Sequence, residues 1–442
     1  MKRIVLFGAG RSSSHLIDYL HSQAIQNDWE LVIADSNLEA ATEKAHRRIR
    51  CKPLHLEIEQ IEDRRRLISS AGMVISMLPA MLHSLVAEDC VDLGVDLATA
   101  SYLSEEMKSL DESARSKGVV LMNELGLDPG LDHMSAMRLF NKIRQEGGII
   151  NSFKSFCGGL VAPASDDNPW NYKISWNPRN VVLAGTGTAI FKCEGEIKLL
   201  PYNRLFKEIE RVDIPGYGEL AMYYNRDSVK YIDLYNLGGI DTMIRGTFRS
   251  VRYCKAWSIL VDLGMLDPSS HIEGSSSMTY QQFTNAYLRF GIQTDNRGRI
   301  ENTLGYLLDE ESYLMLEWLG LFSSEAIGLD NASPAQIVER LIVDKWLLKP
   351  SDRDMIIMQH EIKYIIEDVE HTCISTLRRD GRDSTYTAMS ELVGLPLAIY
   401  VKLRLLLGIG QPGAHIPLEE GIYEPILTEL ESLGIVFDEI WS

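Results

Sequence analysis

Arg3-Ile4-Val5-Leu6-Phe7 runs directly into Gly8-Ala9-Gly10-Arg11-Ser12-Ser13, and a helical pattern of apolar residues (Leu16, Ile17, Leu20) follows at once. A buried strand, a tight glycine turn and a helix, in that order, leave few choices of fold. The first glycine permits the sharp turn. The second lets a pyrophosphate approach the backbone, and the helix amino-terminus offers that anion unpaired N–H groups. Ser13, standing where a third glycine or alanine is common, is small enough for helix and strand to pack closely. Gly8, Gly10, Arg11, Ser12 and Ser13 are therefore expected to line a dinucleotide.

The alternation continues downstream. Trp29 to Ala34 reads as a second strand ending in Asp35. A carboxylate there accepts the ribose hydroxyls of NAD and repels the 2′-phosphate of NADP; the alternative reading of Asp35 is a helix cap before Leu38. NAD is the expected cofactor and NADP stays possible, because Arg47, Arg48 and Arg50 lie a little further on. A further strand, Met73-Val74-Ile75-Ser76-Met77-Leu78-Pro79, places Ser76 to Pro79 over the cofactor. A helix (Leu82 to Val91), a strand (Val95 to Ala100) ending in Ser101-Tyr102, a helix (Ser104 to Lys117) and a strand (Val119 to Met122) complete the pattern. Such alternation implies a right-handed, doubly wound parallel sheet of the Rossmann type, spanning about residues 1–130.

After Met122 comes Asn123-Glu124-Leu125-Gly126-Leu127-Asp128-Pro129-Gly130-Leu131-Asp132-His133. Open α/β sheets put their ligands in loops at the carboxyl ends of parallel strands. Asp128, Asp132 and His133 are thus candidates for chemistry. The competing reading makes both aspartates caps of the next helix and packs His133 against it.

From about residue 150 the pattern changes to alternating, strand-like runs: Ser152–Cys157 closed by Gly158-Gly159, Val181–Leu183, Ala189–Cys193, Tyr231–Tyr235 and Ile244–Phe248. Residues 270–349 turn helical (Tyr280–Phe290, Thr303–Leu308, Glu311–Leu319, Pro334–Leu347). Strand character returns at Met355–Ile366 and Thr372–Leu377. The expected fold class is α/β: an N-terminal Rossmann sheet, then an α+β domain over 131–268 and 350–387, with an all-helical insertion at 269–349.

A length of 442 residues calls for two or three cores. The formal net charge of −18 argues against a general nucleic-acid surface, which needs basic stripes. It leaves room for an anionic small substrate held by a local arginine cluster. The six cysteines show no CxxC and no paired spacing, which suits free thiols in a reducing cytoplasm and no metal site. Met1-Lys2-Arg3 leads straight into a strand, with no signal peptide. The most apolar helical stretch, Leu395–Leu407, is interrupted by Lys402 and Arg404 and is too short to span a bilayer. A cytoplasmic protein with a small-molecule partner, no nucleic acid and no membrane is expected; a homodimer is compatible with this.

Several motifs occur together in one order: Ala100-Ser101-Tyr102-Leu103-Ser104, the Asn123–His133 stretch, Ser155-Phe156-Cys157-Gly158-Gly159-Leu160, Asn168-Pro169 with Tyr172-Lys173-Ile174-Ser175-Trp176, Asn225-Arg226-Asp227-Ser228, and Ile244-Arg245-Gly246-Thr247-Phe248-Arg249. The set resembles the saccharopine dehydrogenase family, in its glutamate-forming branch, nearly end to end. Ile416-Pro417 and Ile422–Leu427 extend the likeness. Val161 and Phe248 depart from the usual proline and leucine. The resemblance implies a mixed sheet in the second domain and a final segment, about 388–442, packing back on the Rossmann domain. It also implies reversible, NAD(P)-dependent oxidation of saccharopine to L-glutamate and α-aminoadipate semialdehyde, in lysine metabolism. Reductive condensation of another amine with a semialdehyde, as in carboxynorspermidine synthesis, stays open as an alternative, as does a non-catalytic NAD(H) sensor.

Oxidising a secondary amine by hydride transfer leaves placement and proton management to the protein. Saccharopine carries three carboxylates, which calls for cationic anchors. Arg226, Arg245 and Arg249 are the candidates, since a guanidinium fork holds a carboxylate bidentately; each taken alone also fits a surface ion pair. The resemblance adds Ser101, Tyr102, Thr247, Phe248 and Asp128 at the substrate, and Ala100 and Leu127 at the cofactor. Asp128, Tyr102 and Lys173 are the candidates for acid–base work. Cys157, lacking an adjacent base, reads as a packed thiol.

Overall fold

The computed structural model describes residues 1–184, 186–291 and 294–442. The chain divides into two compact units. The first comprises Met1–Ile149, Ile366–Asp368 and Arg379–Asp438, the second Ile150–Ile365, Val369–Arg378 and Glu439–Ser442.

In the first unit strands and helices alternate as β1 (Arg3–Phe7), α1 (Ser14–Gln26), β2 (Glu30–Asp35), α2 (Leu38–Ala45), β3 (Cys51–His55), α3 (Ile61–Ile68), β4 (Met73–Ser76), α4 (His83–Leu93), β5 (Leu97–Thr99), α5 (Glu105–Ser109), α6 (Asp111–Lys117), β6 (Val120–Met122) and α7 (Leu131–Gln145). All strand pairs are parallel, and β1 lies between β2 and β4. The strand order therefore reverses at β1, where a doubly wound sheet opens its ligand crevice. Ile4, Val5 and Leu6 are fully buried, as are Met73, Val74 and Ile75, which explains why these strands read as unbroken apolar runs. β3 escaped the sequence reading: it is an edge strand, mostly exposed, with Pro53 in it. The expected single helix over Ser104–Lys117 is two, α5 and α6, meeting at Leu110.

The second unit contains β7 (Ile149–Val161), α8 (Pro178–Leu183), β8 (Ala189–Cys193), β9 (Glu196–Leu200), β10 (Glu210–Ile214), β11 (Gly218–Tyr224), α9 (Tyr231–Leu234), β12 (Thr242–Arg249), α10 (Val251–Asp262), then α11 (Tyr280–Tyr287), α12 (Asn296–Leu304), α13 (Glu310–Leu319) and α14 (Pro334–Trp346), and finally β13 (Asp354–Ile366) and β14 (Val369–Asp380). Its sheet is mixed: β11 pairs antiparallel with β10 and β12, while β12 runs parallel to β7. Two stretches expected as strands are helical. At Val181–Leu183 the Asn177 side chain accepts from Arg179 N and Pro178 occupies the first turn, so helix-start chemistry outweighs a short β-branched run. At Tyr231 the turn begins with Asp227 Oδ1 accepting from Val229 N at 2.9 Å. Gly158-Gly159 does not close β7, which runs on to Val161; a Cβ on Gly158 would lie 2.6 Å from Phe248 Cβ, so glycine there serves close packing. The expected Thr303–Leu308 helix ends at Leu304, with Gly305 in the left-handed conformation.

The chain then returns to the first unit as α15 (Ala388–Leu407), β15 (Gly413–His415) and α16 (Glu420–Ser432), before β16 (Asp438–Trp441) joins the second sheet. β15 extends the parallel sheet beside β6. α7, expected to open the second unit, belongs to the first. Arg138 on α7 grips Glu424 on α16 with two parallel bonds of 2.9 and 2.8 Å, and Asn141 Nδ2 donates to Tyr423 Oη at 2.7 Å. α15 lies on α1 so closely that a Cβ at Gly394 would meet Leu16 N and Cβ at 3.0 Å.

Two substitutions test these contacts. Gly394→Val should wedge α15 off α1 and lower the unfolding free energy by roughly 1–3 kcal/mol, read by urea denaturation. In the second unit Lys173 Nζ lies 2.6 Å from Asp352 Oδ2 and 2.7 Å from Asp167 Oδ1, almost wholly buried. Lys173→Met strands the Asp352 carboxylate and should cost about 3–5 kcal/mol in the same measurement.

Candidate active site

The glycine turn after β1 is tied to the end of β2. Gly8 N donates to Ala34 O at 2.9 Å, and Ala9 N donates to Asp35 Oδ2 at 2.7 Å. Asp35 Oδ1 accepts from Asn37 N at 2.8 Å, and Asn37 itself caps α2 through Ala40 N, so the cap role weighed for Asp35 falls to its neighbour. Gly8 has φ +102°, and a Cβ on it would sit 2.8 Å from Met77 O, so no other residue fits. A Cβ on Gly10 would meet nothing within 4 Å. The backbone there is open to a ligand, and the turn fits a dinucleotide pyrophosphate. Ser13 is buried and donates to Gly10 O at 2.8 Å, closing the turn onto α1.

At the carboxyl ends of β4 and β5, Ser76, His83 and Ser101 form a chain: Ser76 Oγ lies 2.7 Å from His83 Nδ1, and Ser101 Oγ lies 2.7 Å from His83 Nε2. Ser76 and His83 are buried, and burial pushes the His83 pKa down to about 4. His83 was not singled out in the sequence. A lone histidine opening a helix seven residues after a strand-end serine was the available signal.

The loop after β6 is packed tightly. A Cβ on Gly130, at φ +142°, would lie 2.3 Å from Gly126 N, and Gly126 N donates to Pro129 O at 2.9 Å. Asp128-Pro129 is a cis peptide. Tyr102 Oη donates to Asp128 Oδ1 at 3.1 Å, which brings two predicted residues together. Asp132 Oδ1 accepts from Gly130 N at 2.6 Å, but among the described residues no side chain caps the N–H groups that open α7, so neither aspartate is the cap that the alternative reading made it. His133 is fully buried with Nε2 2.7 Å from Glu124 Oε2, and Glu124 Oε1 accepts from Leu103 N at 3.0 Å. Glu124 is not among the candidates the sequence singles out. It is the carboxylate that ties this loop to the one carrying Ser101 and Tyr102. Ala100 O and Cβ lie against Gly126, and Leu127 O accepts from Asp132 N at 3.0 Å.

In the second unit, Arg245, Thr247 and Arg249 alternate along β12 and so share one face of the strand. Arg245 is buried, its guanidinium 4.5 Å from the Tyr231 ring centre. Arg249 is 4% exposed. Its guanidinium lies 4.6 Å from the Tyr172 ring and 5.7 Å from that of Tyr253, and Nη1 donates to Phe248 O at 2.7 Å and Gly159 O at 3.3 Å. Nε has no partner, and among the described residues no carboxylate pairs with this guanidinium. Burial opposes its charge, but Tyr172, Tyr223, Tyr253 and Cys254 outweigh that and raise its pKa. Phe248 is wholly buried against Phe156, a core position facing away from the arginines. Arg226 is exposed, with φ +50°. Lys173, held between Asp352 and Asp167, is badly placed to accept a proton, since both contacts are made by its ammonium form. Among the described residues no group of three His, Cys, Asp or Glu side chains is placed to hold a metal, and no helix is long and apolar enough to cross a membrane.

Comparison with known proteins places the chain in a family. Residues 4–122 match the saccharopine dehydrogenase NADP binding domain, and residues 126–435 match the saccharopine dehydrogenase C-terminal domain. The chain is 31% identical to the saccharopine dehydrogenase [NADP(+), L-glutamate-forming] of Saccharomyces cerevisiae, over 99% of both chains. It is also 31% identical to the mitochondrial alpha-aminoadipic semialdehyde synthase of Rattus norvegicus, over 99% of this chain and 47% of that one; the chain thus spans about half the length of that relative. The crystal structure of apo saccharopine dehydrogenase (L-Glu forming) from Saccharomyces cerevisiae superposes with a TM-score of 0.89 at 29% identity, covering all of both chains. With both domain matches in order and a relative of equal length, the chain belongs to the saccharopine dehydrogenase family.

Proposed function

We propose that the protein is an oxidoreductase acting on the secondary amine of saccharopine, yielding L-glutamate and α-aminoadipate semialdehyde in lysine metabolism. The observation that carries this reading is Arg249. In a chain with 62 acidic and 44 basic residues, a buried guanidinium with no carboxylate partner among the described residues is a positive charge left without a counterion there. Such a charge is costly unless an anionic ligand compensates it. Saccharopine supplies three carboxylates. Arg245 and Thr247 share its strand face.

A bound nicotinamide dinucleotide supplies the hydride acceptor. The chain's own groups hold the reacting amine and handle its protons. Ser101, Tyr102 and Asp128 are the polar groups of the first unit offered to the substrate, and the Tyr102–Asp128 hydrogen bond fixes the carboxylate's direction. Asp128 is the acid–base candidate we favour. Lys173 is assigned a structural ion pair instead.

The relatives' names favour NADP, and NAD as primary cofactor draws no support from them. The end of β2 favours NAD: Asp35 keeps a carboxylate oriented by Ala9 N and Asn37 N where the adenosine ribose binds in such folds. We assign NAD as the preferred cofactor on that ground, with NADP as a poorer substitute.

Saccharopine with NAD+ should generate NADH, followed by absorbance; activity confined to diamine condensation would transfer the assignment to the carboxynorspermidine type, and tight dinucleotide binding without turnover would make the protein a sensor. Arg249→Lys, which keeps the charge and loses the fork, should raise KM for saccharopine about tenfold or more while KM for NAD+ stays within about twofold. An unmoved KM for saccharopine would remove Arg249 from the substrate. Asp35→Ser should shift kcat/KM toward NADP+ by about tenfold, and equal use of both cofactors by the unaltered protein would overturn the choice of NAD.

A further inference from the structure

We infer that Ser76 and His83 form a one-directional hydrogen-bond relay that sets Ser101 as a donor toward a substrate carboxylate, making both of them positioning residues for the reaction. The target of that donor rests on the function proposed above; the direction of the relay does not.

The argument is a count of protons. Imidazole in its neutral form has one N–H and one bare nitrogen, so of the two serines at 2.7 Å one donates to the ring and the other accepts from it. A histidine this buried, with its pKa pushed down to about 4, is neutral at working pH. Two arrangements remain. In one, Nδ1 carries the proton and donates to Ser76, and Ser101 donates to Nε2. The Ser76 hydroxyl hydrogen then needs another acceptor, yet Ser76 is wholly buried and makes no other side-chain hydrogen bond among the described residues. In the other, Ser76 donates to Nδ1, and Nε2–H donates to Ser101 Oγ. Every proton in the buried part is then used. An unsatisfied buried hydroxyl is expensive, so the second arrangement wins.

Its consequence lies at the far end. Ser101 Oγ, already accepting from Nε2–H, keeps its own O–H, and no described side chain or backbone group takes it. Ser101 is half-buried, at the end of β5, so this hydroxyl is directed to a ligand as a donor. The chemistry it suits is an oxygen acceptor, and we commit to a substrate carboxylate. Ser76, which its strand-end position sets over the cofactor in the sequence reading, acts instead through His83. Neither residue needs to touch the substrate.

The test reads the tautomer directly. Two-bond ¹H–¹⁵N spectra of ¹⁵N-histidine protein, with His83 assigned by its loss in His83→Gln, should show Nε2 protonated and Nδ1 bare. Nδ1–H in the unaltered protein would overturn the relay whether or not saccharopine is the substrate. Ser76→Ala removes the hydroxyl whose proton fixes Nδ1 as the bare nitrogen; Nδ1 then lacks a partner in either tautomer, so Nδ1–H and Nε2–H should coexist. In the Nδ1–H fraction Ser101 gives its proton to Nε2, and KM for saccharopine should rise about twofold with KM for NAD+ unchanged. A Ser76→Ala protein that keeps Nε2–H and an unaltered KM would overturn the proposal, and a rise in KM for NAD+ alone would overturn the substrate carboxylate as the acceptor. If the unaltered protein shows Nε2–H but no turnover of saccharopine, the relay stands and the proposed reaction fails.

Discussion

Gly130 lies so close to Gly126 that a Cβ on it would sit 2.3 Å from Gly126 N, while one on Gly126 would crowd Pro129 O and Ala100, and the polar arrangement after β6 depends on that close turn. The close turn brings Leu131 N and Asp132 N back onto Gly126 O and Leu127 O, so α7 starts within the loop itself. It also leaves Asp128 at the tip, within reach of Tyr102. Glu124, just ahead of the turn, reaches in two directions, to Leu103 N and to His133 on α7. Two loops at the carboxyl ends of β5 and β6 are thereby locked together. Such cross-bracing is how a fold holds a catalytic constellation on loops with the precision of its rigid elements.

The same economy recurs at the other strand ends of the first unit. Asp35 orients the glycine turn, and Ser76 and Ser101 are joined through one imidazole. Each is a polar side chain at the end of an otherwise apolar strand, where the sheet's own hydrogen bonding stops. Polar groups at these positions bind one another, or a ligand, or stay unsatisfied; the structure shows the first, and the open backbone at Gly10 leaves room for the second. In the second unit the balance differs. Arg249 sits among aromatic rings and carbonyls, and among the described residues no carboxylate pairs with it.

The Rossmann alternation was legible because strands buried on both faces must be apolar throughout, and the glycines between them answer to backbone geometry that no other residue meets. β3 was not, since an exposed edge strand carries no such pattern. The helices at Pro178–Leu183 and Tyr231–Leu234 read as strands in the sequence because four to six residues are too few for period to speak; side-chain capping by Asn177 settles the first. Among candidate site residues, Gly8, Gly10, Asp35, Asp128 and Tyr102 stand out by type and place. Lys173 stood out too, but its two carboxylate partners lie 6 and 179 positions away, and only their arrival in space shows that its ammonium is already occupied.

By itself, the order of residues determined the doubly wound sheet, the turn that meets a pyrophosphate and, through its motifs, the family. These depend on local rules: burial period, glycine conformations and residue types at short spacing. Tertiary structure alone decided which polar groups are spent on the fold and which remain for a ligand. Whether Arg249 has a counterion, or which way the protons run between Ser76, His83 and Ser101, depends on neighbours brought together from distant parts of the chain, and hydrogen bonds and charges act only over the few ångströms that folding closes.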